Sequence, residues 1–353
     1  MKQDASLFPG ETVIADLHHP VLAWHSPGDA AKPLLVLAPG GGHLARVYYG
    51  HPGGEPRDFL AHWLARQGYE VLALSYASDH PANRAPCQEM TVAQWAEDFA
   101  AAAAKFAAPG RDVVLVAWSM AGRIARLFRL AVNALGLRCE GMVSLAATPP
   151  LPELTSPASG GEPLTPEHFW DSEARGEPWR AAIAGLRQPC GRVPIPADDY
   201  ARRYRCNNPV GLRAEPRTAA PAQASPEQLL TALRPFDYAD YPLVGAVIPT
   251  CAADGRHAMT DRMSWGFLNA QMLFCEADRR WPGGVKAIPI EDWESLRDLA
   301  RHAADGLSRE VGGDHFFFIG EAGASDAAAA IHTLIAAMEP VRRWRAVLPS
   351  PVE

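Results

Sequence analysis

Lysine is scarce in this chain: it stands only at positions 2, 32, 105 and 286, and the basic charge comes almost wholly from arginine. The 33 basic residues face 40 acidic ones, giving a formal net charge of −7 and a pI near 6.0. A chain of that balance has no general attraction for phosphate backbones or anionic lipid, so neither nucleic acid nor a membrane is expected as partner. No uncharged apolar run reaches the roughly 18 residues that a membrane span needs. The amino-terminal MKQDASLFPGETVIADL is acidic and lacks a long apolar stretch behind its lysine, unlike a secretory signal. The six cysteines, at 87, 139, 190, 206, 251 and 275, include no CxxC pair. A disulfide framework is therefore not expected, and reduced thiols in a cytoplasm fit the pattern. HExxH, close Cys/His quartets and acidic calcium loops are also missing, so no metal and no cofactor are expected.

What is present is a globular composition, with 48% hydrophobic and 21% charged residues. At 353 residues the chain is long enough for one large domain or for a core carrying an insertion. LLVLAP (34–39), EVLALSY (70–76), DVVLVAW (112–118) and EGMVSLAA (140–147) read as strands that are apolar throughout. Helical spacing lies between them, in FLAHWLARQ (59–67), in the run that starts at the Thr91 and Gln94 capping box, and in GRIARLFRLAVNALG after Ser119. Alternating helices and fully apolar strands predict an α/β fold, a mostly parallel sheet covered on both faces. The rhythm breaks at Thr148, where Pro and Gly crowd the chain to about 226. YPLVGAVIPTCAAD (241–254) reads as either a strand or an apolar loop, and SWGFLNAQMLF (264–274) as a helix. VKAIPI (285–290) is expected to resume the sheet, followed by a helix near 292–304, a short strand near 308–311 and a helix at 326–338. The expected organisation is a core of residues 1–150 and 284–353, interrupted by an insertion at 151–283.

Ala117-Trp118-Ser119-Met120-Ala121-Gly122 puts a serine where an apolar strand turns directly into an amphipathic helix, with small residues two before and two after it. Such a turn strains its central residue, and bulky flanks would collide with neighbouring backbone. It lifts the serine hydroxyl above the sheet and places the next backbone N–H at a helix amino terminus, where negative charge is stabilised. In these residues the chain resembles the α/β-hydrolase family, whose common elbow is Gly-x-Ser-x-Gly; here alanine fills both flanking positions. The resemblance covers about 31–150 and 284–345 and implies a nucleophilic Ser119. It also implies a second oxyanion-hole donor in the glycine loop of LLVLAPGGGH (34–43), so the N–H of Gly41 pairs with that of Met120, Gly40 or Gly42 being the substitutes. Gly40, Gly42, His43 and Trp118 are the expected substrate-binding residues. Gly40-x-Gly42-x-x-Ala45 also fits a dinucleotide fingerprint, but the acidic residue expected about 20 positions on is missing.

A base must take the serine proton, and histidine has the suitable pKa. Of twelve histidines, His315 in Gly312-Gly313-Asp314-His315-Phe316-Phe317 lies after a short strand, in the family's order of nucleophile, acid, histidine. The segment is similar to the histidine loop of type II thioesterases, where a Gly-His-Phe-Phe run is common. His18 and His19 are expected at the surface. The acid that orients the imidazole has three candidates. Asp292 is favoured, at the end of VKAIPI and 23 residues before His315; Asp254, 61 residues before it, comes next; Glu291 is third.

The insertion falls where this family commonly places a lid, and Trp170, Trp179, Tyr200 and Tyr204 are its candidate aromatics. DDYARRYRCNNPVGLRAEPR (198–217) is the one basic cluster, either a solvated face or a receiver for the phosphates of a carrier- or coenzyme A-bound thioester. The implied activity is that of a serine hydrolase cleaving a small-molecule carboxylic ester or thioester through an acyl-enzyme. The alternatives are an acyltransferase or cyclising synthase with the same triad, and a non-catalytic binding protein on the same fold.

Overall fold

Strands that are apolar at every position must be buried on both faces, and these become the inner strands of one sheet. The computed structural model describes residues 5–150, 164–186, 188, 191–213 and 226–348. Its strands are β1 (Glu11–Ile14), β2 (Val21–Ser26), β3 (Leu34–Ala38), β4 (Glu70–Ser75), β5 (Asp112–Trp118), β6 (Arg138–Leu145), β7 (Phe169–Trp170), β8 (Asn208–Pro209), β9 (Val244–Pro249) and β10 (Ser308–Val311). Its helices are α1 (Arg46–Tyr49), α2 (Leu60–Arg66), α3 (Val92–Ala104), α4 (Ala125–Ala134), α5 (Gly176–Gly185), α6 (Ala197–Asp199), α7 (Pro226–Leu233), α8 (Gly255–Arg280), α9 (Ile290–Arg301), α10 (Glu321–Ala337) and α11 (Glu339–Val347).

Eight strands form the central sheet in the order β1-β2-β4-β3-β5-β6-β9-β10. β1 and β2 join it antiparallel, and every pairing from β4 onward is parallel. α2 packs with α10 and α3 with α4, while α8 lies against β9, so helices flank the sheet. Thr91 opens α3 with the expected capping box: its hydroxyl accepts from the Gln94 N–H and the Gln94 side chain accepts from the Thr91 N–H. The hairpin β1–β2 was not expected from the sequence, because its residues mix polar and apolar positions as an edge with one wet face does. A buried arginine ties it down: Arg46 on α1 donates to both Glu11 carboxylate oxygens, at 2.7 and 2.8 Å.

Two boundaries differ from the sequence reading. β9 lies in the central sheet between β6 and β10, so the inserted stretch ends before Val244 and not at 283. VKAIPI is not a strand. Gly283 and Gly284 turn the chain at positive φ, Val285–Ala287 is a single 3-10 turn, and Pro289, which has no N–H for a sheet ladder, caps α9. Residues 151–163 and 214–225 of the insertion lie outside the described residues.

The strand order reverses between β3 and β5, and the crevice at the carboxyl ends of such strands is where α/β sheets place their sites. The start of β9 is held by one side chain. Asn269 of α8, 1% exposed, accepts from the Val244 N–H at 2.9 Å and donates to the carbonyls of Val244 and Ala303, both at 2.8 Å. Asn269→Leu leaves these backbone groups unpaired, and a loss of about 2–4 kcal/mol is expected in urea unfolding. A loss below about 1 kcal/mol would show that the side chain does not hold β9.

Candidate active site

β5 ends at Trp118, and Ser119 follows with φ of 53°, the left-handed region that a Cβ disfavours. The chain then enters a 3-10 turn, Ser119–Ile124, that runs on into α4. Two glycines make room for this corner. A Cβ on Gly40 would stand 2.8 Å from the Ser119 Cβ, and one on Gly122 would stand 2.3 Å from the Thr148 carbonyl oxygen. The Thr148 N–H in turn donates to the Ser119 carbonyl at 2.8 Å, so the end of β6 braces the elbow.

The glycine loop after β3 faces this corner. The Tyr76 hydroxyl accepts from the Gly42 N–H and donates to the Gly40 carbonyl, both at 3.1 Å. Gly42 is thus committed to Tyr76, and its φ of 77° turns the loop; Gly41 lies beside Met120, whose Sδ would be 3.3 Å from an added Cβ. The insertion clamps the loop from the other side. The Leu44 N–H donates to the Tyr204 carbonyl at 2.8 Å and the Cys206 N–H to the Gly42 carbonyl at 3.0 Å, with His43 and Arg205 bridged between them. His43 donates Nδ1–H to the Gly41 carbonyl at 2.9 Å, so its Nε2 must accept from the Tyr200 hydroxyl at 2.7 Å.

At the carboxyl ends of β9 and β10 the structure brings two distant residues together. His315 Nδ1 stands 2.8 Å from Asp254 Oδ2, with the side chains 23% and 11% exposed. Burial works to raise the Asp254 carboxyl, but the hydrogen bond and charge of His315, with the charge of His257, hold it below the ordinary value. The Trp118 indole N–H donates to the His315 carbonyl at 3.0 Å, linking the histidine loop to the residue before Ser119. An imidazole held by a carboxylate at Nδ1 keeps its lone pair on Nε2 and can accept a proton there. A second pair adjoins it. His257 lies with its ring centroid 5.4 Å from that of His315, and its Nδ1 is 3.0 Å from the buried Asp261. Burial alone would lower His257, yet the Asp261 carboxylate raises it.

A model of the alpha/beta hydrolase family matches residues 35–331, well over half of the chain. The chain belongs to the alpha/beta hydrolase family. No curated protein matches it. Among solved structures, this family member is similar to AqDC, described as recognising and cleaving the ring of the Pseudomonas quinolone signal, at 16% identity and a TM-score of 0.51 over 92% of this chain and 99% of that one. It is similar to the esterase RhEst1 from Rhodococcus sp. ECU1013 at 15% identity and a TM-score of 0.48, over 93% of this chain and 99% of that one. A thioesterase domain from the curacin biosynthetic pathway aligns at 15% identity and a TM-score of 0.42, over 92% and 98%. These are likenesses of fold. No helix among the described residues of this hydrolase-family chain is long and apolar enough to cross a membrane.

Several expected residues stand elsewhere. Asp292 and Glu291 are exposed in the first turn of α9, where carboxylates suit the helix dipole, and the carboxylate at His315 is Asp254. Trp118 and His43 are each 1% exposed, so both are packed beneath the site instead of lining it. Tyr200 and Tyr204 are fully buried in the clamp, Trp170 is buried, and Trp179 is partly buried against His43. Of the basic cluster, Arg202 and Arg203 pair with Asp199, and Arg205 pairs with Glu173 at 2.8 Å, so acidic neighbours compensate these charges; residues 214–217 lie outside the described residues. The glycine loop is followed by one helical turn, α1, which offers no long helix to a pyrophosphate. His18 is exposed, whereas His19 is half-buried on Asp98 at 2.8 Å. The sequence reading missed His257 and Asp261: they stand four apart on α8, which begins at Gly255, whereas the helix expected from the sequence begins only at 264.

Burial lowers His43 to about 3, against its hydrogen bond to Gly41 and with help from the charges of Arg205 and His315. The unfolded chain therefore binds a proton near pH 6.5 that the folded one refuses, and stability should fall as pH drops from 6.5 toward 3, by up to about 1.4 kcal/mol per pH unit. Melts of wild type and His43→Gln between pH 7 and 4 should show a shallower acid loss in the variant; parallel curves would refute a neutral buried His43.

Proposed function

We propose that the chain is a serine hydrolase that cleaves a carboxylic ester or thioester of a small molecule. The observation that carries this reading is the 2.8 Å contact between Asp254 and His315, at the same end of the sheet as the strained Ser119. Asp254 fixes the His315 tautomer with its proton on Nδ1, so Nε2 is the nitrogen that takes the Ser119 proton as Oγ attacks the carbonyl carbon. The oxyanion that forms is met by the N–H of Met120, in the first turn after the elbow, and by that of Gly41, since Gly42 is committed to Tyr76. His315 then gives its proton to the leaving alcohol or thiol, and water, deprotonated by the same nitrogen, releases the acid. The insertion serves as the lid, and its clamp on residues 42–44 sets the shape of the oxyanion loop. Membership of the alpha/beta hydrolase family agrees with this chemistry without choosing its acyl chain.

A fluorophosphonate probe should add once to the wild type and not to Ser119→Ala, as read by intact mass. With a panel of short-chain esters and acyl thioesters, Asp254→Asn should lower kcat by about 10³–10⁴-fold, the size of effect seen when a triad loses its orienting carboxylate. Asp292→Asn and Glu291→Gln should stay within about twofold of wild type, since an exposed carboxylate far from the reacting atoms contributes little. Full turnover in Ser119→Ala would overturn the acyl-enzyme and turn attention to proton abstraction by His315 alone.

A further inference from the structure

Asp254 and His315 do not stand alone. One oxygen or nitrogen from each of Asp254, His257 and His315 lies within 4.8 Å of the others, and all three side chains are partly exposed. Behind them Asp261, 1% exposed, takes His257 Nδ1 at 3.0 Å and so leaves Nε2 as the free donor of that ring. A metal-binding histidine is held in the same way, by a buried carboxylate on its other nitrogen. Two imidazoles and one carboxylate, all partly exposed so that water can complete the shell, form a donor set that suits Zn²⁺. Zinc holds such ligands at about 2.0–2.2 Å, which places tetrahedral donors about 3.3–3.5 Å apart. The closure needed from 4.8 Å asks for side-chain rotations that move the donor atoms by about 1–1.5 Å at a partly exposed site.

We propose that Asp254, His257 and His315 bind a divalent transition-metal ion, zinc foremost, and that its occupancy arrests turnover. A neutral imidazole has a single nitrogen lone pair. Whichever nitrogen of His315 the metal takes, no lone pair remains for the Ser119 proton, and Asp254 is occupied by the same ion. The arrest rests on the reading of His315 as the base; the binding does not. No bond is made or broken beyond ligation, which exchanges water for protein donors.

The test uses the full chain stripped with EDTA and titrated with Zn²⁺ under reductant, with binding followed by equilibrium dialysis and turnover followed in parallel. One ion per chain is expected, with binding and inhibition sharing a midpoint and EDTA restoring activity. Binding should weaken at least tenfold in His257→Gln and in Asp254→Asn and by about tenfold or more in Asp261→Asn. It should be unchanged in Ser119→Ala and in Cys251→Ser, which removes the exposed thiol three residues before Asp254. Equal affinity in His257→Gln, a loss in Cys251→Ser, or binding at this site without inhibition would each overturn the proposal. An EDTA-treated wild type without turnover would count against the hydrolase reading, while dialysis would still decide the metal site.

Discussion

Ser119 holds a φ of 53°, a conformation that costs a residue with a Cβ about 1–2 kcal/mol. Local sequence would relax it, so the corner has to be held by its neighbours. The Thr148 N–H is bonded to the Ser119 carbonyl, Gly122 lets the Thr148 backbone come close, and Gly40 clears the space beside the Ser119 Cβ. Three parallel strands contribute: β5 carries the serine, β6 the brace and β3 the opposing loop. In parallel strands the carboxyl ends all point the same way, and the loops of β9 and β10 bring Asp254 and His315 to that edge.

The glycine loop after β3 is a different case, since three consecutive glycines resist no distortion of their own. Its shape is imposed from outside. Tyr76 joins Gly40 to Gly42 through one hydroxyl, and residues 204–206 run alongside 42–44 like a short strand. His43 completes the arrangement by tying Gly41 to Tyr200 through a ring packed among Trp118, Trp179 and Phe316. Such burial keeps the ring neutral, and only a neutral ring can donate at one nitrogen and accept at the other. The inserted stretch is thereby part of the foundation on which the glycine loop rests.

The charged groups around His315 follow one pattern. Asp254 stays ionised because His315 and His257 outweigh its partial burial, and Asp261 supports His257 from behind. Two histidine–carboxylate pairs packed ring against ring are more than orientation of a single base demands, and His257 stands in one cluster with Asp254 and His315.

The alternation of elements, the parallel inner sheet, the serine corner and the histidine loop were legible in the residues alone. Each follows from local physics: strands apolar on both faces, a strand meeting a helix without a linker, small residues beside the turn. The sequence did not place the carboxylate that meets His315, because that choice depends on which segment joins the sheet. VKAIPI and VGAVIP are similarly apolar, but Pro289 and the glycine turn before it divert the first into a helix start, while Asn269 and the neighbours of β9 seat the second. The burial of His43 and Trp118 and the pairing of the inserted arginines were likewise settled by contacts between residues far apart in the chain. Contacts of that kind leave no periodic signal in the chain and are set when it folds.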